Sequence, residues 1–378
     1  MDIGLQKRLF EELTDHVRNK STSLAESEMR YPASAYYGAE QLEREKRLFE
    51  RFPLIVGHAD ELREPGQYIA GSMLGVPFLV VRQKDGSLRA FRNVCSHRGA
   101  PVCPEGTGTA NQFVCHYHAW TYSLDGSLRG APRNAFPGLD RAEARLPELA
   151  VIERHGLLWL RLDGGAIDFE GFAEGLDAEL ASFDLGAYVI ERRETFDADI
   201  NWKSVLDGFL EVYHFSPLHS NSIGPWFYAN TSSFEKLRLN GRMVGVRKSI
   251  DTLIGTDFAE DVILPHIAVN YQVFPNTVIV WQGDHFEIWS SFPGDEPGRC
   301  HVQFMMLVSP ETKDSLKARW DRNMSIIRET VMGEDWAMSE KVQKGLPFIR
   351  NNEIVFGANE PALQHFYANL ADQLERGN

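Results

Sequence analysis

The sequence predicts an α+β chain: a helical arm, a small all-β domain, and a larger domain mixing an antiparallel sheet with helices. Three observations predict it. The 378 residues exceed one ordinary domain, for which roughly 150 is a working length. Short β-prone runs punctuated by Asp-Gly pairs fill the stretch after the first fifty residues. Beyond about residue 166 the runs lengthen, and a helical pattern closes them. The expected domains are therefore 1–50, 51–165 and 166–378.

The elements follow in order. Ile3, Leu5, Leu9, Phe10, Leu13 and Val17 recur near helical spacing. A turn-rich stretch at Tyr31-Pro32-Ala33-Ser34 precedes a second helical pattern through Leu42, Leu48 and Phe49. In the β region, Asp85-Gly86 separates Phe78–Val81 from Leu88–Phe91, and Asp125-Gly126 follows Trp120–Tyr122; both read as hairpin turns. Leu157–Leu160 is the expected last strand, with Asp163-Gly164-Gly165 as the exit. Then come a strand over 187–198, a helix starting near Asn201, and strands over 243–250, 267–274, 277–281, 286–292 and 301–308. The pairs between these strands suggest an antiparallel meander. Residues 315–346 read as one helix.

Composition narrows the function. With 43% hydrophobic and 24% charged residues the chain can bury a core and is not disordered. A net charge of −14 argues against a general nucleic-acid or anionic-membrane binder. No apolar run nears the roughly 18 residues of a membrane span. The start, with charges every few residues, does not read as a secretory signal, so a cytoplasmic protein is expected. Four cysteines are no disulfide framework.

Cysteine spacing is more telling. Cys95-Ser96-His97 and Cys115-His116-Tyr117-His118 form two loops with one Cys-x1–2-His pair apiece. Two thiolates and two imidazoles suit tetrahedral zinc. Two loops each followed by turn-forming or aromatic residues also suit a two-iron cluster, with cysteines on one iron and histidines on the other.

A second constellation lies in Asn201-Trp202-Lys203 through His219. Glu211 and His214 are i, i+3 on one expected helical face, with Asp207 at i−4 from Glu211. His214 and His219 lie about 140° apart on an ideal helix. Pro217 breaks that helix and lets His219 swing back. Two histidines and a carboxylate make the facial set of non-haem Fe(II) oxygenases.

The runs C-S-H-R-G-A-P and C-H-Y-H-A-W-T-Y-S-L-D-G closely resemble the Rieske [2Fe-2S] domain of ring-hydroxylating oxygenases. The 201–219 stretch and Gly333-Glu334-Asp335-Trp336 through Gln343 resemble the same family. The resemblance implies a catalytic terminal oxygenase subunit. The expected fold is a Rieske domain plus a helix-grip catalytic domain (START/SRPBCC-like), whose curved antiparallel sheet is covered by helices and carries the arm. It assigns Cys95, His97, Cys115 and His118 to the cluster, and His214, His219 and Asp335 to one Fe(2+), with Glu334 as the rival carboxylate. Glu211 is implied to bridge a Rieske histidine to an iron-ligating histidine across a subunit boundary. Many members have Asp there; some acting on trimethylammonium compounds have Glu. Respiratory-type Rieske proteins carry an added disulfide, but Tyr117 stands where the partner of Cys103 would sit. Cys103 is therefore read as an unpaired structural thiol, and Cys300 as a core residue.

The resemblance also implies partners: O2, a flavin reductase using NAD(P)H, with or without a ferredoxin, and a homotrimer, with a β-subunit left open. No G-x-G-x-x-G follows a strand, so flavin and nicotinamide are expected only on that partner. The substrate stays open between an aromatic compound, as in aromatic hydrocarbon catabolism, and a quaternary ammonium. Residues 221–310 carry no matching motif. Asp207, Phe215 and Val331 are the expected pocket residues, and Phe215, Trp226, Phe227, Tyr228 and Trp281 offer aromatic surface. Two other readings remain: an electron carrier without oxygenase activity, and a zinc-containing ligand-binding protein.

Overall fold

The computed structural model describes residues 1–132 and 135–377. It divides into two compact units, Phe49–Asp168 and Met1–Leu48 with Phe169–Asn378.

The chain starts with α1 (Ile3–Asn19), β1 (Met29–Pro32) and α2 (Ala39–Glu50). Asp2 caps α1, its Oδ1 accepting from the Gly4 and Leu5 amides at 2.9 and 3.2 Å. The predicted stripe of Leu5, Leu9, Phe10 and Leu13 is buried, while Ile3 is exposed.

The Phe49–Asp168 unit is all β. Its strands are β2 (Leu54–His58), β3 (Gln67–Met73), β4 (Val76–Arg82), β5 (Leu88–Arg92), β6 (Gly106–Thr109), β7 (Phe113–Val114), β8 (Thr121–Tyr122), β9 (Leu128–Gly130), β10 (Glu148–Arg154) and β11 (Leu157–Arg161). They form a seven-stranded sheet in the order β2-β11-β10-β5-β4-β3-β6 and a three-stranded sheet β7-β8-β9. Both predicted hairpin turns use the same chemistry. Asp85 and Asp125 accept from the amides two residues on, each at 3.0 Å, and Gly86 and Gly126 take φ of 84° and 77°. At Gly126 a Cβ would come within 2.4 Å of the Phe91 ring, so only glycine fits.

The other unit continues with α3 (Phe169–Phe172), α4 (Leu176–Ala181), β12 (Val189–Ala198), α5 (Trp202–Asp207), β13 (Phe227–Leu237), β14 (Asn240–Arg247), β15 (Ile267–Val273), β16 (Thr277–Trp281), β17 (His285–Pro293) and β18 (Cys300–Val308). They build a seven-stranded antiparallel sheet in the order β12-β18-β17-β16-β15-β14-β13. The predicted meander is thus β14 to β18. The sequence reading missed β13, whose alternation is diluted by Ser232, Ser233 and Lys236.

One helical expectation needs correction and another refinement. The helix expected from Asn201 to a break at Pro217 stops early: α5 ends at Asp207, where Gly208 weakens propagation. The Glu211 carboxylate then accepts from the Tyr213 and His214 amides, which a continuing helix would need for itself. Residues 317–345 are helical as expected, but in three consecutive segments of changing type. These are α6 (Lys317–Ile327), a π-helical stretch Arg328–Trp336 and α7 (Ala337–Gly345). The chain ends with β19 (Glu353–Phe356), antiparallel to β1, and α8 (Pro361–Arg376). Helix α5 lies against β17 and β18, and α8 against β13 and β14.

Candidate metal centres

The two Cys–His loops share one backbone design. The Cys95 amide donates to the Ala100 carbonyl and the Gly99 amide to the Cys95 carbonyl, at 2.7 and 2.9 Å. The Cys115 amide donates to Trp120 and the Ala119 amide to Cys115, both at 2.9 Å. The fourth residue after each cysteine is left-handed, Gly99 at φ 80° and Ala119 at φ 56°. Within this shared shape the histidines sit at different offsets, and they meet: the His97 and His118 ring centroids are 4.6 Å apart. The equivalent leftover positions meet as well, with the Arg98 guanidinium 5.3 Å above the Tyr117 ring.

Cys95 and Cys115 are buried, whereas His97 is half-buried and His118 exposed. Trp120 stacks on His97 at 4.9 Å, and the Tyr122 hydroxyl lies 3.2 Å from Cys95 Sγ while accepting from the Ser96 amide. Thiolates held inside and imidazoles held outside fit a cluster whose cysteine-bound iron is sheltered. Cys103 and Cys300 are free, buried thiols whose pKa burial pushes up to about 12.

The second centre gathers His214, His219 and Asp335, with one ligand-capable atom of each within 4.8 Å of the others. Asp335 Oδ1 lies 3.5 Å from His214 Nε2 and 3.0 Å from His219 Nε2. His214 comes from the short turn Tyr213–Phe215, His219 from beyond Pro217, and Asp335 from the π-helical stretch. Such stretches re-phase a helix and are frequent at functional sites.

The outer nitrogens are both held by carboxylates. His214 Nδ1 bonds Glu211, and His219 Nδ1 lies 2.6 Å from Glu334 Oε2, which also accepts from Ser222 Oγ at 2.6 Å. Both rings are therefore set to carry Nδ1–H and to turn Nε2 toward Asp335. Burial lowers the pKa of His219, but Asp335 and Glu334 outweigh it and raise the value. His214 Nε2 is buried without a hydrogen-bond partner. An orphaned imidazole nitrogen beside a second one and a carboxylate fits a divalent iron. The sequence reading offered Glu334 only as a rival ligand; the structure places it at the outer nitrogen of His219. Ser222 it missed.

A cavity of about 710 Å³ opens beside this centre. Phe215 and Val331, both expected there, line it, as do Trp226 and Phe227. Tyr228 instead donates to Asp251 at 2.5 Å, and Trp281 packs on Phe183 at 5.6 Å.

Asp207 is a correction, because it does not line the cavity. Lys203 and Asp207, i and i+4 on α5, face the arm and α8. Lys203 Nζ pairs with buried Glu45 at 2.7 Å. Asp207 accepts from the Tyr36 and Tyr367 hydroxyls at 2.8 and 2.7 Å. Burial pushes its pKa up to about 7 against those hydrogen bonds. The cavity's polar wall, which includes Asn270, His285 and Glu287, lies in the strands for which no motif was found.

Residues 185–376 match the family described as ring hydroxylating alpha subunit (catalytic domain), and residues 52–141 match the Rieske [2Fe-2S] domain. The chain is 36% identical over 197 residues to the carnitine monooxygenase oxygenase subunit of Acinetobacter baumannii, covering 50% of this chain and 52% of that protein. It is 35% identical over 181 residues to the chlorobenzene dioxygenase subunit alpha of a Cupriavidus strain, covering 46% and 40%. It thus spans about half the length of the curated relatives it matches. A solved quaternary ammonium Rieske monooxygenase shares its fold, with a TM-score of 0.77 at 23% identity over 93% of this chain and 96% of that one. With a family match over half its length, a Rieske domain preceding it and the two centres just described, the chain belongs to the ring-hydroxylating alpha-subunit family.

Proposed function

We propose that the chain is a terminal oxygenase component. It would use O2, two protons and two electrons from a separate flavin- and NAD(P)H-dependent reductase to hydroxylate, dihydroxylate or oxidatively demethylate a small organic substrate. The observation that carries the reading is the convergence of His214 Nε2, buried without a hydrogen-bond partner, with His219 Nε2 and Asp335 Oδ1. His214, His219 and Asp335 would hold Fe(II), and Cys95, His97, Cys115 and His118 a [2Fe-2S] cluster. When bound, the cluster supplies single electrons and the iron supplies O2 activation.

The chain's own residues do the rest. Glu211 and Glu334, with Ser222, hold the two rings in one tautomer. Phe209, Phe215 and Val331 give the cavity an apolar wall that displaces water around the substrate. Phe215, Trp226 and Phe227 can surround a ring or a quaternary ammonium. The similar quaternary ammonium monooxygenase is described in terms of carnitine oxidation and inter-subunit electron transfer. That supports Glu211 as a bridge to a neighbouring subunit's cluster within a homotrimer. A closed ring of this kind is a natural product of head-to-tail contacts.

The test is metal and sulfide analysis of anaerobically purified protein, with an EPR spectrum after reduction. About three irons and two sulfides per chain, with a Rieske signal, is the expected result. About two irons, unchanged by added Fe(II), makes it an electron carrier; zinc without sulfide makes it a ligand-binding protein.

A further inference from the structure

The floor of the cavity is a row across the sheet: Met243, Asn270, Val280 and Glu287 are successive cross-strand partners on β14, β15, β16 and β17. All four line the cavity. Glu287 is the only acidic residue in β14 to β18, and its side chain is 6% exposed.

A buried carboxylate normally takes several short hydrogen bonds, because it can accept about four. Glu287 has two long ones. His285 Nε2 is 3.4 Å from its Oε1, and Trp289 Nε1 donates to its Oε2 at 3.2 Å. His285 Nδ1 also lies 2.7 Å from Asp284, so its two ring nitrogens are divided between two carboxylates. Burial disfavours its imidazolium, but the Asp284 and Glu287 carboxylates outweigh burial and push its pKa up to about 9. Asn270, the other polar member of the row, donates its Nδ2 to the Phe209 carbonyl at 2.6 Å. Two side chains of the row can therefore accept, Asn270 through Oδ1 and Glu287 through two oxygens, and Glu287 has the larger capacity. A hydrocarbon displacing water from it would leave the remaining accepting positions of this buried carboxyl group unmet.

We propose that Glu287 is the specificity-determining residue of the cavity: it accepts from an O–H or N–H of the substrate, so the chain takes a hydroxyl- or amine-bearing molecule and rejects a bare hydrocarbon of the same shape. The proposal rests on the oxygenase reading of this cavity. Sites built to hydrogen-bond a substrate can reject the analogue lacking the group by on the order of 10⁴-fold.

The experiment is calorimetric titration of the anaerobic, metal-loaded protein with toluene, benzyl alcohol and benzylamine. Wild type is expected to bind the alcohol or the amine at least about a hundredfold more tightly than toluene. Glu287→Leu should bring all three within about threefold, with toluene tightening. Glu287→Gln, which keeps shape and an acceptor, should weaken the amine more than the alcohol and gives the readout where the leucine variant does not fold. Alcohol against amine tells a neutral donor from a cationic one. Equal binding of all three by wild type, binding of none, or an unchanged preference in both variants overturns the proposal. Metal content of the same samples separates the two claims. Missing iron and sulfide defeats the oxygenase reading, whereas full metal content without donor preference defeats Glu287 alone.

Discussion

Glu334 Oε2 lies 2.6 Å from Nδ1 of His219, at the ring nitrogen opposite the one that faces Asp335. Two carboxylates adjacent in sequence thus meet different atoms, and in the proposed iron site one would close the ligand set while the other would fix a ligand's tautomer. Asp335→Ala should lose the mononuclear iron outright while the cluster spectrum persists. Glu334→Gln should weaken iron binding by about 10–100-fold. Added Fe(II), followed by iron analysis after desalting, should refill the Glu334 variant and not the Asp335 variant.

Glu211 holds the corresponding nitrogen of His214 and is part-exposed beside Tyr213. Glu211→Gln, once reloaded with Fe(II) to the wild-type iron content, should still show reductase-driven turnover lowered by roughly a hundredfold, with normal sulfide. Single-turnover reduction of the pre-loaded protein checks this. Normal turnover would remove the bridging role.

Asp207 is buried with a pKa raised to about 7 from an ordinary 3.8, burial being the main cause. The stabilising contribution of its protonated form is complete below the unfolded value and is lost as pH rises through about 7. Asp207→Asn should therefore flatten the fall in melting temperature between pH 5 and pH 8 relative to wild type. Differential scanning calorimetry of both proteins across that range measures it, and parallel curves would refute it.

The Lys203–Glu45 pair has no exposed side-chain surface, and Glu45 also accepts from Trp202 Nε1 at 2.7 Å. Lys203→Met leaves an uncompensated buried carboxylate and should destabilise by about 3–5 kcal/mol. Adding Glu45→Gln should recover much of the loss. Chemical unfolding of the single and double variants decides it.

The site was readable in the sequence wherever chemistry is written into spacing. Cys95-x-His97, Cys115-x2-His118 and the His214, His219 pair stand close in the chain, although α5 ends at Asp207 and leaves no helix between the last two for Pro217 to break. The hairpin turns at Gly86 and Gly126 and the meander from β14 to β18 were readable for the same reason, since a turn or an alternation is a local property. The end of α5 was less so: Gly208 signals a weak point, but the Glu211 carboxylate that takes over the following amides acts through a side-chain conformation.

By itself, then, the sequence determined the α+β fold class with a small all-β part and a larger mixed part, the resemblance to one oxygenase family and the short list of residues able to bind metal. Only the tertiary structure decided which way Asp207 points, because that depends on the hydroxyls of Tyr36 and Tyr367, 171 and 160 residues away. It decided that Asp335 faces the inner nitrogens and Glu334 an outer one, because a π-helical stretch shifts the phase that ordinary helical spacing assumes. It also placed Glu287 in one row with Asn270, because strand register joins residues that no local periodicity relates.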